Sequence, residues 1–146
     1  MTTQSNKLFN FLKILLLSIM LSTSAYAKQP DWQYWSDQTI AQAKQENRLI
    51  LIDLTAKWCM YCKKMEQTTY TDDAVIKELQ QHYIAIKADE EKFPEIAKRF
   101  ANVGRPGTII LDSNGNQLLA KSGYLKPQWM LWMLQGALSD SNNKRQ

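Results

Sequence analysis

Short runs of apolar residues alternate along this chain with longer segments that have a helical period. Two runs, residues 49–54 and 83–89, are largely apolar and rich in branched side chains. Such runs are typical of strands that are buried on both faces of a sheet. A third run at 108–111 precedes Asn114-Gly115, a strong hairpin signal, and a fourth covers 117–121. The pattern therefore predicts four strands, of which the last two form an antiparallel hairpin.

The segments between these strands have the apolar spacing and the end signals of helices. Ser36 is a suitable N-cap, and Pro94 and Pro127 can each occupy a first helical turn. Helices are predicted at residues 37–47, 59–69, 74–81, 94–100 and 127–138. Because strands that alternate with helices pair in parallel through right-handed crossovers, the first strands should be parallel. The predicted fold class is α/β, with a four-stranded mixed sheet flanked by helices on both faces.

The two ends of the chain have a different character. Lys7 and Lys13 accompany an apolar stretch near the amino terminus, and Ala25-Tyr26-Ala27 supplies a small-residue cleavage site. This order predicts a secretory signal over residues 1–27, cleaved after Ala27. We expect the remaining single domain, residues 28–138, in the periplasm, where disulfides can form and persist. The alternative is an uncleaved signal that anchors the protein to the inner membrane. The polar residues 139–146 are predicted to be a disordered tail.

The charge of the chain does not indicate a nucleic-acid partner. The formal net charge is +4, and two of these charges belong to lysines of the predicted signal. No basic stripe with interleaved aromatic residues follows in the rest of the sequence. We therefore expect partners that are other proteins and not nucleic acid. We also expect the protein to be a monomer.

The candidate chemistry lies in Cys59 and Cys62, the two cysteines of the chain, which are separated by two residues. This spacing allows a disulfide between a first cysteine at a helix start and a second cysteine one turn inside. The unpaired N–H groups and partial positive charge of a helix start favour the thiolate, which is the attacking species. Cys59 is therefore predicted to be the exposed nucleophile and Cys62 the less exposed resolving thiol.

Other interpretations of the cysteines stay open at this point. A structural zinc site needs four ligands, and beyond the two cysteines the chain offers His82 as its single histidine. A purely structural disulfide across so small a loop would constrain the unfolded chain little. Copper binding with Met60 or Met65 would suit a chaperone in cytochrome c biogenesis or oxidase assembly. A third class, a binding module, would use Trp129 and Trp132, although we expect both tryptophans to pack onto the sheet.

The residues described so far resemble the thioredoxin superfamily over about residues 35–138. The matching pieces are a strand followed by Trp58-Cys59-Met60-Tyr61-Cys62, and then Gly104-Arg105-Pro106-Gly107-Thr108 further along the chain. The run 62–72 resembles in particular the carboxy-terminal periplasmic domain of the transmembrane thiol reductase DsbD. The resemblance implies a thioredoxin fold and thiol–disulfide oxidoreductase activity. The redox-active disulfide would then need no metal or organic cofactor.

The resemblance also implies roles for two acids. Asp53 matches the buried carboxylate that exchanges a proton with the resolving cysteine, and Glu66 matches a second acid that raises the cysteine pKa. Judged from the residues alone, Asp53 could instead cap the loop at the end of its strand. Glu66 could equally be a solvated residue of its helix.

Three residues are expected to bind substrate. Pro106 matches the cis proline that packs against the disulfide, next to backbone that pairs with a substrate strand. Trp58 and Arg105 flank the same surface, and Arg105 would either add positive charge near Cys59 or favour an acidic partner. Met60-Tyr61 between the cysteines matches neither a reducing nor an oxidising relative. We expect a reductase or electron relay that acts on exported proteins with disulfides and is re-reduced by a membrane thiol donor such as a DsbD-like protein.

Overall fold

A mixed sheet forms the centre of residues 29–144, the part of the chain that the structure, a computed structural model, describes. Its strands are β1 (Trp32–Gln33), β2 (Leu49–Thr55), β3 (Tyr83–Asp89), β4 (Gly107–Leu111) and β5 (Gln117–Ser122). Their order in the sheet is β1-β3-β2-β4-β5. The β2–β3 pair is parallel, whereas β2–β4 and β4–β5 are antiparallel. The predicted α/β mixed sheet is confirmed, and the predicted signal lies outside the described residues.

The strand that the sequence analysis did not predict is β1. It contains two residues, Trp32 and Gln33, which pair in parallel with Ala85 and Ile86 of β3. A strand this short has no detectable period, so only its partner strand defines it. The sheet therefore has five strands among the described residues, one more than predicted.

The helices surround this sheet, and several begin where the sequence predicted. They are α1 (Asp37–Glu46), α2 (Met60–Thr68), α3 (Asp73–His82), α4 (Pro94–Arg99) and α5 (Pro127–Asn143). Ser36 caps α1 by accepting a hydrogen bond from the backbone N–H of Thr39 at 3.1 Å. Pro94 and Pro127 each occupy a first helical turn, as predicted. None of the helices within residues 29–144 is long and apolar enough to cross a membrane.

The last helix differs from the prediction in two respects. It continues to Asn143, so the expectation of a disordered tail from residue 139 is wrong for residues 139–143. The reason is that its buried face, with Leu134 and Ala137, continues at helical spacing to the buried Ser141. Trp129 and Trp132 are exposed, so the expectation that they pack onto the sheet is also wrong.

The core consists of two layers, one on each face of the sheet. Ile50, Ile52 and Leu54 of β2 pack in the cluster that contains residues of α1 and α4. Leu49 and Leu51 pack in the other cluster, together with residues of α2, α3 and α5. Because side chains alternate along a strand, residue 53 points to the face covered by α2, α3 and α5. This alternation directs the carboxyl group of Asp53 towards the helix that carries the cysteines.

Candidate active site

The two cysteines lie at the junction between β2 and α2 and form a disulfide. Cys59 is the N-cap of α2, and its sulfur accepts a hydrogen bond from the backbone N–H of Cys62 at 3.1 Å. Their Cα atoms are 5.3 Å apart. The first cysteine therefore lies at the helix start and the second inside the first turn, as the spacing predicted. A helix start stabilises negative charge, so Cys59 is the sulfur better placed to be a thiolate after reduction.

Exposure does not distinguish the two cysteines. Each is 3% exposed, so the expectation of an exposed Cys59 is wrong for this oxidised form. The bonded sulfurs pack with Ala56 in a small buried cluster. The residues around them are exposed, at 67% for Trp58, 81% for Met60 and 62% for Tyr61. An approaching protein would contact these three side chains before it reached the disulfide.

Asp53 is a buried acid in the interior of β2, with 2% exposure. Burial raises its pKa to about 7, an effect that the positive charge of Lys87 partly opposes and the negative charge of Glu66 reinforces. The strand continues two residues past it to Thr55, so Asp53 is not at the strand's end, where a loop cap would lie. A carboxyl group with a pKa near neutrality can both accept and release a proton at physiological pH.

Glu66 and Lys87 form an ion pair between α2 and β3, and both side chains are partly exposed. Glu66 is thus a paired residue and not a freely solvated one. Lys87 is directly opposite Asp53 in the β2–β3 register, and its amino group lies 5.3 Å from the ring centre of Trp32. Lys87 was not among the residues predicted from the sequence, although it is the one basic residue of the second apolar run.

Arg105 and Trp58 are joined by a residue that the sequence analysis also missed. The carboxylate of Glu90 accepts a hydrogen bond from the indole N–H of Trp58 at 2.8 Å and from Nε of Arg105 at 3.0 Å. No sequence signal singled out Glu90, because its partners are distant in the chain. Arg105, whose side chain is 11% exposed, is therefore already paired with a carboxylate.

The Arg105–Pro106 peptide bond is cis, as the resemblance implies. The carbonyl of Pro106 accepts a hydrogen bond from the backbone N–H of Gly123 at 2.8 Å, which links this loop to the end of β5. Gly107 follows in a tight place, because a Cβ there would lie 2.8 Å from the carbonyl oxygen of Gly104 and from Cγ1 of Val103. The side chain of Gly107 is therefore restricted to hydrogen by contacts within the loop.

No group of three or more His, Cys, Asp or Glu side chains within residues 29–144 could hold an ion. Met65, one of the two methionines considered as copper ligands, is fully buried in the core. Met60 is exposed beside the disulfide.

The fold is a thioredoxin fold, with a Cys-x-x-Cys disulfide at the start of its second helix, where thiol–disulfide exchange is chemically possible. Residues 17–128 match the family named Thioredox_DsbH and described as "Protein of unknown function, DUF255", and the chain belongs to that family.

Several curated relatives are named for thiol–disulfide interchange. The chain is 31% identical over 112 residues to the "Thiol:disulfide interchange protein DsbD" of Ralstonia nicotianae, covering 74% of this chain and 18% of that protein. It is 30% identical over 126 residues to the protein of the same name in Campylobacter jejuni, covering 84% of this chain and 22% of that protein. The chain thus spans less than a quarter of the length of these relatives.

Solved structures share the fold. A "DsbH Oxidoreductase" superposes with a TM-score of 0.62 at 19% identity, covering 82% of this chain and 92% of that one. The reduced carboxy-terminal domain of DsbD from Neisseria meningitidis gives a TM-score of 0.58 at 18% identity, covering 68% and 90% of the two chains. A thioredoxin from Thermus thermophilus gives 0.66 at 18% identity, with coverages of 75% and 88%.

Proposed function

We propose that this protein is a periplasmic reductase or electron relay, which passes two electrons from the Cys59/Cys62 dithiol to disulfides of exported proteins. The observation that carries the proposal is the Cys59 sulfur at the start of α2, where it accepts the N–H of Cys62. That position stabilises a thiolate at the sulfur that attacks first. The names of the relatives add support, because they describe thiol–disulfide interchange.

The proposed reaction runs through a mixed disulfide. The Cys59 thiolate attacks one sulfur of the partner disulfide, and the other partner sulfur leaves as a thiolate that takes up a proton. Cys62 then loses its proton to the Asp53 carboxylate and attacks the Cys59 sulfur. The second partner thiolate leaves, the partner has gained two electrons, and the Cys59–Cys62 disulfide of this structure is restored.

Partner binding would use the exposed side chains beside the disulfide. Trp58, Met60 and Tyr61 offer apolar contacts, and Lys63 and Lys64 of α2 add exposed positive charge. The backbone of the loop at Pro106 would pair with an extended segment of the partner. Arg105 contributes less charge than its type suggests, because Glu90 neutralises it.

The remaining parts of the proposal concern the cellular setting. The chain would be exported by its amino-terminal signal and act as a monomer, without a cofactor beyond the disulfide. A membrane thiol donor of the DsbD type would return the dithiol state after each turnover. None of these features is needed for the exchange step itself, so each can be tested separately.

Variants of the two cysteines test the exchange step. Cys62→Ser should accumulate disulfide-linked complexes with exported proteins, because Cys59 can attack but no thiol resolves the product. Cys59→Ser should form none and should lose insulin disulfide reduction, and the double variant is the matched control. The measurement is a two-dimensional gel, non-reducing and then reducing, of periplasmic extracts. An identical pattern for Cys62→Ser and the double variant would refute the proposal.

The direction of electron flow needs a separate measurement. Equilibration of the cysteine pair with a glutathione buffer gives its reduction potential. A reductase should lie close to the thioredoxin value of about −270 mV and far from about −120 mV, the value of an oxidant such as DsbA. A value near the second figure would reverse the proposed direction but leave the exchange chemistry unchanged.

A further inference from the structure

Three buried polar groups meet on the face of the sheet that α2 covers. They are the carboxyl of Asp53, the hydroxyl of Tyr70 and the hydroxyl of Thr108. Among the described residues, Oδ1 of Asp53 and both hydroxyl oxygens lack a hydrogen-bond partner of normal geometry. The Tyr70 hydroxyl nevertheless lies near both other groups, because its pKa responds, besides burial, to the charge of Asp53 and to hydrogen bonding with Thr108 and Asp53. Buried polar atoms without a hydrogen-bond partner are energetically costly, so three of them in one place require a common explanation.

The three groups are brought together by different elements. Thr108 of β4 is directly opposite Asp53 in the antiparallel β2–β4 register. Tyr70 follows α2, and its backbone N–H donates to the carbonyl of Met65 at 3.0 Å, which fixes the end of the helix. The Trp32 and Tyr70 rings pack in a T-shaped arrangement, with 4.8 Å between their centres. The phenol is therefore held in place from two sides.

The three groups differ in whether they can donate or accept a hydrogen bond. Burial keeps the pKa of the Tyr70 phenol well above its usual value, so it remains a hydrogen-bond donor at every physiological pH. An ionised Asp53 can only accept, whereas a protonated Asp53 can also donate. The Tyr70 hydroxyl suits both states, because it can donate to the carboxylate or accept from the acid. Thr108 can donate to the phenol oxygen whenever the phenol donates to Asp53.

We propose that Tyr70 is a positioning residue for proton transfer at Asp53, and that Thr108 supports it. In the ionised state a chain of hydrogen bonds runs from Thr108 to Tyr70 to the Asp53 carboxylate, which stabilises the form that accepts the proton of Cys62. The inference rests on the proposed function, in which Asp53 receives that proton.

The other charged groups that face Asp53 are Lys87 on β3 and Glu66 on α2. A cavity of about 100 Å³ is lined by Tyr70, Glu66 and Lys87, together with Gln29 and Trp32. It places the phenol beside these two charged side chains, both of which are partly exposed to solvent.

Tyr70→Phe removes the donor and keeps the ring. Since a hydrogen bond to the charged form lowers the pKa of an acid, its loss should raise the Asp53 pKa by about one unit. Tyr83→Phe is the matched control, because the buried Tyr83 hydroxyl donates instead to the carbonyl of Leu134 at 2.6 Å. The measurement is an NMR titration of the Asp53 carboxyl carbon in the oxidised full-length protein. Thr108→Val, which should give a smaller upward shift, provides a second test if Tyr70→Phe does not fold.

An Asp53 pKa that is the same in wild type, Tyr70→Phe and Thr108→Val would overturn the inference, whatever the exchange activity. A shift in Tyr70→Phe that Tyr83→Phe reproduces would also overturn it, because the cause would then be general loosening of the core. Since the titration uses the oxidised protein, its result does not depend on the proposed exchange reaction. Loss of the mixed disulfides of Cys62→Ser would refute that reaction and leave the hydrogen-bond chain standing.

Discussion

Replacing Asp53 by Asn should stabilise the folded protein at neutral and alkaline pH. Burial raises the pKa of Asp53 from the usual 3.8 to about 7 in the folded protein. Between these values the folded state keeps a proton that the unfolded chain has released. The free energy of unfolding must therefore fall as the pH rises through this window, and it does not recover above it. Asn has a similar shape and no charge to bury, so the free energy of unfolding of Asp53→Asn should not fall in this pH window.

The size of the effect follows from the shift. A difference of about 3 pH units, at 1.36 kcal/mol for each unit, amounts to roughly 4 kcal/mol. Most of this difference between wild type and Asp53→Asn should develop between about pH 4 and pH 7. It is a large fraction of the 5–15 kcal/mol that is typical of a whole domain. A carboxyl group with this cost does not stabilise the fold at neutral pH, which agrees with the proposed role of Asp53 in proton transfer.

Urea unfolding of the oxidised protein at pH 4, 6 and 8 measures the difference. The control is Asp112→Asn, whose effect on the free energy of unfolding should be nearly constant at these three pH values, because it should change only below the usual pKa of 3.8. Partial burial would raise the pKa of Asp112, but hydrogen bonds from Asn116 and from the backbone of Asn114 lower it overall. The stability that Asp112 adds should be present above its ordinary pKa and be lost as the pH falls through its lowered one. A constant difference between wild type and Asp53→Asn from pH 4 to pH 8 would refute the reasoning.

Two further predictions concern the charges around the site. Lys87→Met should raise the Asp53 pKa and Glu66→Gln should lower it, because the positive charge of Lys87 attracts the carboxylate and the negative charge of Glu66 repels it. NMR titration of the Asp53 carboxyl group measures both shifts. Shifts in the same direction would contradict these two charge effects. Glu90→Ala should release Arg105 from its ion pair. Disulfide exchange with an acidic peptide should then become roughly five-fold faster relative to exchange with a basic peptide, which corresponds to about 1 kcal/mol for an ion pair between Arg105 and the acidic peptide. Glu90→Gln should give an intermediate ratio, and equal rates for both peptides in every variant would exclude a role for this pair in partner choice.

Features that depend on neighbouring residues in the chain could be predicted from the sequence. The strands β2, β3 and β4 appear as continuous apolar runs, and the spacing of the cysteines places them at a helix start. The errors occur where local signals are weak. β1 is too short for a period, and the polar composition at the end of α5 conceals the buried Ser141. In both places contacts with other elements determine the structure.

The surroundings of Asp53 could not be predicted, because they arise from strand register. Lys87 and Thr108 lie opposite Asp53 on two different neighbouring strands. Nothing in the spacing of these residues along the chain fixes that alignment. A shift of one residue in either register would turn the partner side chain to the other face of the sheet. A basic residue within a buried run was the one available signal for Lys87, and a polar residue at the start of a buried strand was the signal for Thr108.

The equal burial of the cysteines leaves the helix start as the feature that distinguishes them. The sequence predicts attack by Cys59 from the electrostatics of the helix start and also predicts that Cys59 is the more exposed of the two, but both are 3% exposed here. What distinguishes them is electrostatic: the Cys59 sulfur receives the N–H of Cys62 at the helix start. Asp53 lies instead on the sheet face beneath α2, where a pKa near 7 suits it to take a proton from a thiol inside the helix. In the proposed reaction the order of attack therefore follows from which sulfur is stabilised as a thiolate, and partner binding would only have to open a path to a site that is already polarised.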